Sequence, residues 1–119
     1  MIHAFTCLLF PLFAGCAPFI DYQATTMDIA RNPGYYSGRP VVVTGNVQTL
    51  RWLRGSSFGT PAETFDLCDG KCVHVFMREH TAMYDGERVS VRGSFLIMHR
   101  IGKLILRNDI EAGEIFPRV

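Results

Sequence analysis

An all-β fold, a small five-stranded Greek-key barrel with a short N-terminal helix, is the architecture this sequence predicts. Three observations point to it. Residues 40–50 and 87–98 alternate apolar and polar side chains with the period of a half-buried strand. Each apolar row contains a glycine, Gly45 or Gly93, as expected where a strand bends to close a barrel. Two further short strands flank the tight turn Asp69-Gly70-Lys71, and a connector without strand character follows them.

Taken in order, residues 4–20 read AFTCLLFPLFAGCAPFI, with no charged side chain. A membrane-spanning helix needs about 20 apolar residues, and Pro11 and Pro18 interrupt this shorter run. Residues 21–26 read as a tether. Thr25 or Thr26 caps a helix over residues 27–31, which Asn32-Pro33-Gly34 ends. In the strand over 40–50, Val41, Val43, Gly45 and Val47 share one face. Residues 51–61 form a loop rich in Gly and Ser, and strands over 63–67 and 73–77 make a hairpin. Residues 78–86 are a turn or helical connector. The next strand, 87–98, places Val89, Val91, Gly93, Phe95 and Ile97 on one face and Arg88, Ser90, Arg92 and Ser94 on the other. Gly102 opens a last strand over 103–108, and residues 110–115 close the domain.

A chain of 119 residues has room for one domain. Twelve Lys+Arg against eleven Asp+Glu leave the net charge near zero. Strong nonspecific nucleic-acid binding depends on neutralising phosphates, so this balance argues against it. It gives no argument for an acidic membrane surface either. No Ser/His/Asp set, recognisable carboxylate pair or phosphate-cradling glycine loop appears. The sequence therefore predicts no enzyme and calls for no cofactor.

Small residues followed by a thiol, Phe13-Ala14-Gly15-Cys16, resemble the lipobox of bacterial lipoproteins, with Phe13 where Leu is usual. The resemblance implies a signal peptide over 1–15, lipidation of Cys16, a lipidated tether over 16–26 and a soluble domain over 27–119. Ala17 after the cysteine, by resemblance to the enterobacterial sorting rule, implies the outer membrane, with the domain facing the periplasm. Cys7 would leave with the signal peptide and Cys16 would carry lipid, so Cys68 and Cys72 remain as one pair in an oxidising compartment. They flank the hairpin turn, and a disulfide between them is expected. Free thiols, or a metal or redox site of Cys68, Cys72 and His74, are the alternatives. That trio matches no standard zinc spacing.

Residues 36–47 and 85–95 share the run Gly, polar, Val-x-Val-x-Gly. The first of them follows Asp28-Ile-Ala-Arg-Asn-Pro-Gly-Tyr-Tyr. With Phe65-Asp-Leu-Cys-Asp-Gly-Lys-Cys-Val-His-Val and Asn108-Asp-Ile-Glu-Ala-Gly-Glu-Ile, it resembles bacterial OB-fold domains of the tRNA-anticodon-binding-like type over residues 27–116. SH3-like barrels share the glycine-bent strand, so topology stays open at this point. The resemblance implies a binding fold whose ligand lies on the second and third strands, between the first and last loops.

On the third of these strands Val73, Val75 and Met77 point inward, which leaves His74, Phe76 and Arg78 outward. The first loop adds Arg51, Trp52, Arg54 and Phe58. Such aromatics with neighbouring guanidiniums stack bases or sugars. Alternatively Trp52 and Phe58 plug the barrel end and Phe76 packs on the connector. Finally, His80-Thr-Ala-Met-Tyr84 resembles the His-x-x-x-Tyr element of periplasmic haem chaperones, here within the connector instead of after the barrel. The expected function is a non-catalytic, membrane-anchored binding or scaffold module for an envelope protein, glycan or oligonucleotide. The alternatives are a single-stranded nucleic-acid-binding domain and a periplasmic metal or haem carrier.

Overall fold

In the computed structural model, residues 21–53 and 61–117 are described, with Leu104 by its backbone alone. The expected signal peptide, Cys16, Arg54 and Phe58 lie outside the described residues.

Residues 22–24, read from sequence as tether, form the short strand β1 (Tyr22–Ala24). It pairs parallel with β2 (Pro40–Leu53), Tyr22 opposite Val41 and Ala24 opposite Val43. The reason is an open edge. β3 (Ala62–Asp69) begins to pair with β2 only at Asn46, and the earlier backbone groups of β2 need a partner.

Helix α1 (Thr26–Arg31) is capped by Thr25. The Asp28 N–H donates to the Thr25 hydroxyl, and the Thr25 N–H donates to the Asp28 carboxylate, each at 2.9 Å. This reciprocal box satisfies two donors the helix leaves open. Its one buried aliphatic, Ile29, enters the barrel core. Asn32-Pro33-Gly34 ends α1, as expected, but it also starts a second helix, α2 (Pro33–Tyr36). Proline suits a first helical turn, where its missing N–H has no partner to lose.

In β2 the predicted inward row Val41, Val43, Gly45 and Val47 is buried. The strand runs three residues beyond the predicted end at Leu50, across a bulge where Thr49 takes a positive φ of 57°. β3 and β4 (Lys71–Met77) form the predicted hairpin, turning at Gly70 with φ 82°. Cys68 and Cys72 sit opposite each other with Cα atoms 4.0 Å apart and are joined as a disulfide. No helix forms in the connector, which turns at Tyr84 to Glu87 before β5 (Arg88–Ile101). β6 (Leu104–Pro117) is one strand where the sequence suggested two pieces, and Asn108, with φ 53°, lies between them.

Strand order β2-β3-β4-β6-β5 returns to β2 through seven antiparallel pairs between β2 and β5. The seam between β4 and β6 is parallel, with His74 opposite Asp109 and Phe76 opposite Glu111. This closed five-stranded Greek key is the OB-fold arrangement. Val41, Val43, Phe65, Leu67, Val75, Val89, Val91, Phe95 and Ile110 fill its interior. At Gly93 the barrel walls come very close. A Cβ there would sit 2.8 Å from the Ala112 Cα and closer still to the Glu111 carbonyl oxygen, so only glycine fits.

Ile97 departs from expectation. It was predicted to share the inner face with Phe95, yet it is 38% exposed. Pairing of β5 with β2 ends at Ser94, so Ile97 lies beyond the closed wall. From there β5 and the start of β6 run on as a two-stranded arm, closed at Ile101 opposite Leu104 with Gly102 at φ 58°. Ile101 and Leu106 of this arm pack on Ala62 of β3 and Phe76 of β4, forming a second, smaller apolar cluster.

Candidate ligand-binding face

A cleft of 240 Å³ opens beside that arm. Thr49, Arg51 and Leu53 of β2 form one side, Thr64 and Asp66 of β3 and His74 of β4 the floor, and Leu106 of β6 the other side. The bulge at Thr49 re-aims the end of β2 and is immediately followed by the cleft residues Arg51 and Leu53. His74 and Asp66 are cross-strand neighbours, and His74 Nδ1 lies 3.2 Å from Asp66 Oδ1. Both side chains stay partly exposed, 37% and 41%. The cleft thus offers a guanidinium, a carboxylate–imidazole pair and two hydroxyls between two leucines.

Beside it the arm is held by a polar cluster as well as by apolar packing. His99 of β5 is buried with Nδ1 3.0 Å from Asp109 Oδ2 and Nε2 2.8 Å from Glu111 Oε1. Burial pushes the Asp109 carboxyl above the usual aspartate range, and its hydrogen bond with His99 pulls the other way. The Arg78 Nε–H donates to the other Glu111 oxygen at 3.1 Å, and its guanidinium lies 5.3 Å from the Phe76 ring centroid. The Phe76 ring meets His99 edge-on at 5.6 Å.

The structure therefore separates the six residues the sequence grouped as a binding face. Arg51 and His74 come together in the cleft. Phe76 does face outward from the barrel, as alternation requires, but it is fully buried because the arm covers it. Arg78 lies beside Phe76 and is tied to Glu111. Trp52 alternates to the side away from Arg51 and Leu53, pairs across the strands with Glu63, and meets His80 edge-on at 4.7 Å. Arg54 is outside the described residues.

Around Trp52 the connector is pinned by a buried carboxylate. Glu63, 1% exposed, accepts from the Thr81 N–H at 3.0 Å and the Thr81 hydroxyl at 2.9 Å. His80 Nδ1 lies 3.3 Å from its other oxygen. Of the His80-x-x-x-Tyr84 element, His80 is thus engaged with Glu63 and Trp52, while Tyr84 is 61% exposed. Among the described residues, no three His, Cys, Asp or Glu side chains gather where they could hold a metal ion.

Sequence reasoning missed Asp66, Thr64, Thr49, Leu53 and Leu106. Asp66 and Thr64 were within reach, because the predicted hairpin register sets them opposite His74 and Phe76. Leu106 carried no such signal, since its place depends on the fold-back of the arm.

A closed barrel with a cleft on the outer side of its second and third barrel strands defines a domain of the OB-fold class. Compared by sequence, the chain matches no family model and no curated protein. Compared by structure, it is similar to a protein assigned as an aspartyl-tRNA synthetase from Leishmania major Friedlin, with a TM-score of 0.60 at 10% identity. The alignment covers 87% of this chain and 22% of that one, a likeness of fold.

Proposed function

We propose that this chain is a non-catalytic, lipid-anchored binding module of the cell envelope that holds a hydroxyl-rich ligand, a glycan in the first instance, in the cleft between Arg51, Asp66 and His74. The observation that carries the reading is the lining of that cleft. Its polar groups include two hydroxyls, a carboxylate, a guanidinium and an imidazole, and no Phe, Tyr or Trp lines it among the described residues. Sugar hydroxyls donate to carboxylates and accept from guanidinium and imidazole. The Cys68–Cys72 disulfide supports an oxidising compartment, in keeping with export and lipidation at Cys16.

Single-stranded nucleic acid is the second reading, favoured by the likeness to part of a tRNA synthetase. Against it, Phe76 is buried, Trp52 is engaged with His80, and Asp66 places a carboxylate where a phosphate would approach. The test is calorimetric titration of glycan and oligonucleotide panels against wild type, His74→Ala and Asp66→Asn. Glycan binding lost in both variants supports the reading. Oligonucleotide binding strengthened by Asp66→Asn would replace it. Anchoring is tested separately by fatty-acid labelling, expected in wild type and absent in Cys16→Ala.

A further inference from the structure

We propose that the solvent-facing side of the β5–β6 arm is a docking surface for an anionic phospholipid bilayer. The arm turns His99, Ile101 and the partly buried Leu106 toward the barrel and its covering cluster. Alternation then leaves Met98, Arg100, Ile105 and Arg107 on the opposite side. They face each other across the rungs as Met98 opposite Arg107 and Arg100 opposite Ile105. Each rung thus sets one aliphatic side chain beside one guanidinium. Met98 is 53% and Ile105 40% exposed, and Lys103 adds a third cation at the turn.

Charge selects the partner. Residues 97–108 contain Arg100, Lys103 and Arg107 and no Asp or Glu. The whole chain has twelve Lys+Arg against eleven Asp+Glu, so taking these three away leaves nine against eleven. A nearly neutral protein therefore concentrates positive charge on one hairpin. Among the described residues, none of the three meets a carboxylate. The surface is complementary to an anionic partner, and its uncharged members choose between anionic partners. Aliphatic Met98 and Ile105 have no flat ring on which a base could stack. They suit insertion among acyl chains, while arginine stems lie along the apolar layer and hold their guanidiniums at the phosphates.

This docking is independent of acylation, so the test uses the full chain carrying Cys16→Ala. It is mixed with phosphatidylcholine vesicles, with and without phosphatidylglycerol, and bound protein is read by flotation. Residues 1–20 are common to every protein compared, so insertion they cause cancels in the ratio of anionic to neutral binding. That ratio is expected to exceed one and to fall as salt rises. Arg100→Gln, Lys103→Gln and Arg107→Gln should each lower it about fivefold, the effect of roughly one cation near an anionic leaflet. Met98→Ser with Ile105→Ser should weaken anionic binding while leaving its salt dependence in place. Thermal melts check folding, and Met98→Ser alone stands in if the double serine variant melts early. A ratio unchanged by all three neutralisations overturns the proposal. So does a ratio near one accompanied by oligonucleotide binding that depends on the same three cations, which would assign the arm to nucleic acid.

Discussion

Replacing Phe76 with alanine tests whether the arm lies on the barrel in solution. Its ring is fully buried between Ala62, Ile101 and Leu106, with His99 at its edge and the Arg78 guanidinium over its face. Phe→Ala in a core costs about 3–5 kcal/mol, from lost transfer energy and the cavity left behind. This cluster is small, and the arm beyond Phe95 is paired only to β6, so it can settle toward the cavity. The loss is therefore expected near the lower end, about 3 kcal/mol. For a domain of this size that corresponds to a fall in Tm of roughly 12–24 °C. Circular-dichroism melting reads it, and hydrogen exchange at the Ile101 and Leu106 amides should quicken in the same variant. A fall below about 4 °C, equivalent to at most 1 kcal/mol, would refute the reasoning. It would mean that the ring is already open to solvent and available as the stacking surface the strand alternation first suggested.

Four further outcomes are expected. Gly93→Ala should destabilise by about 3 kcal/mol or more, because the new Cβ meets backbone on β6 that cannot yield. Gly34→Ala, with nothing within 4 Å, should be neutral or stabilising by about 0.4–1 kcal/mol, and paired denaturant melts compare the two. The Asp109 carboxyl is raised above its ordinary 3.8, so over a window above that pH the native state keeps a proton the unfolded chain has released. Stability should fall as pH rises through that window, and in Asp109→Asn, measured by melting across the acid range, this part of the curve should flatten. Cys68→Ser with Cys72→Ser should cost at most about 2 kcal/mol, the chain-entropy value for so short a loop, and equilibrium unfolding should remain a single transition.

Much of the barrel was legible because its signals are local. Val41, Val43 and Val47 repeat at the strand period, and a strand with one buried face allows only one register. The turn at Gly70 announces itself by residue type, and it brings Cys68 and Cys72 together without help from the rest of the fold. Thr25 with Asp28 is likewise a short-range device. β1 was not legible, because the alternation of Tyr22-Gln23-Ala24 runs over only three residues, too short to mark a strand. It forms because β2 leaves an edge unpaired before Asn46, which depends on where β3 begins. Gly93 illustrates an intermediate case. Its glycine was read as a bend, yet what forbids a side chain is the backbone of Glu111 and Ala112, distant in sequence.

The arm explains why the candidate site was only half readable. Strand alternation answers whether a side chain points into or out of the barrel, and it answered correctly for both His74 and Phe76. It does not answer what lies outside. His74 remains partly open beside Asp66, while Phe76, two residues on, is sealed by Ile101 and Leu106. The difference arises from the fold-back of β5 and β6, which no local pattern encodes. The same fold-back governs Ile97 and Met98. Once β5 leaves β2 at Ser94, its residues no longer answer to the barrel's interior, and an apolar side chain there faces either the covering cluster or solvent. Met98 and Ile105 take the second course, each set across the rung from a guanidinium. That placement was invisible in a sequence where they read as two more apolar residues in two more strands.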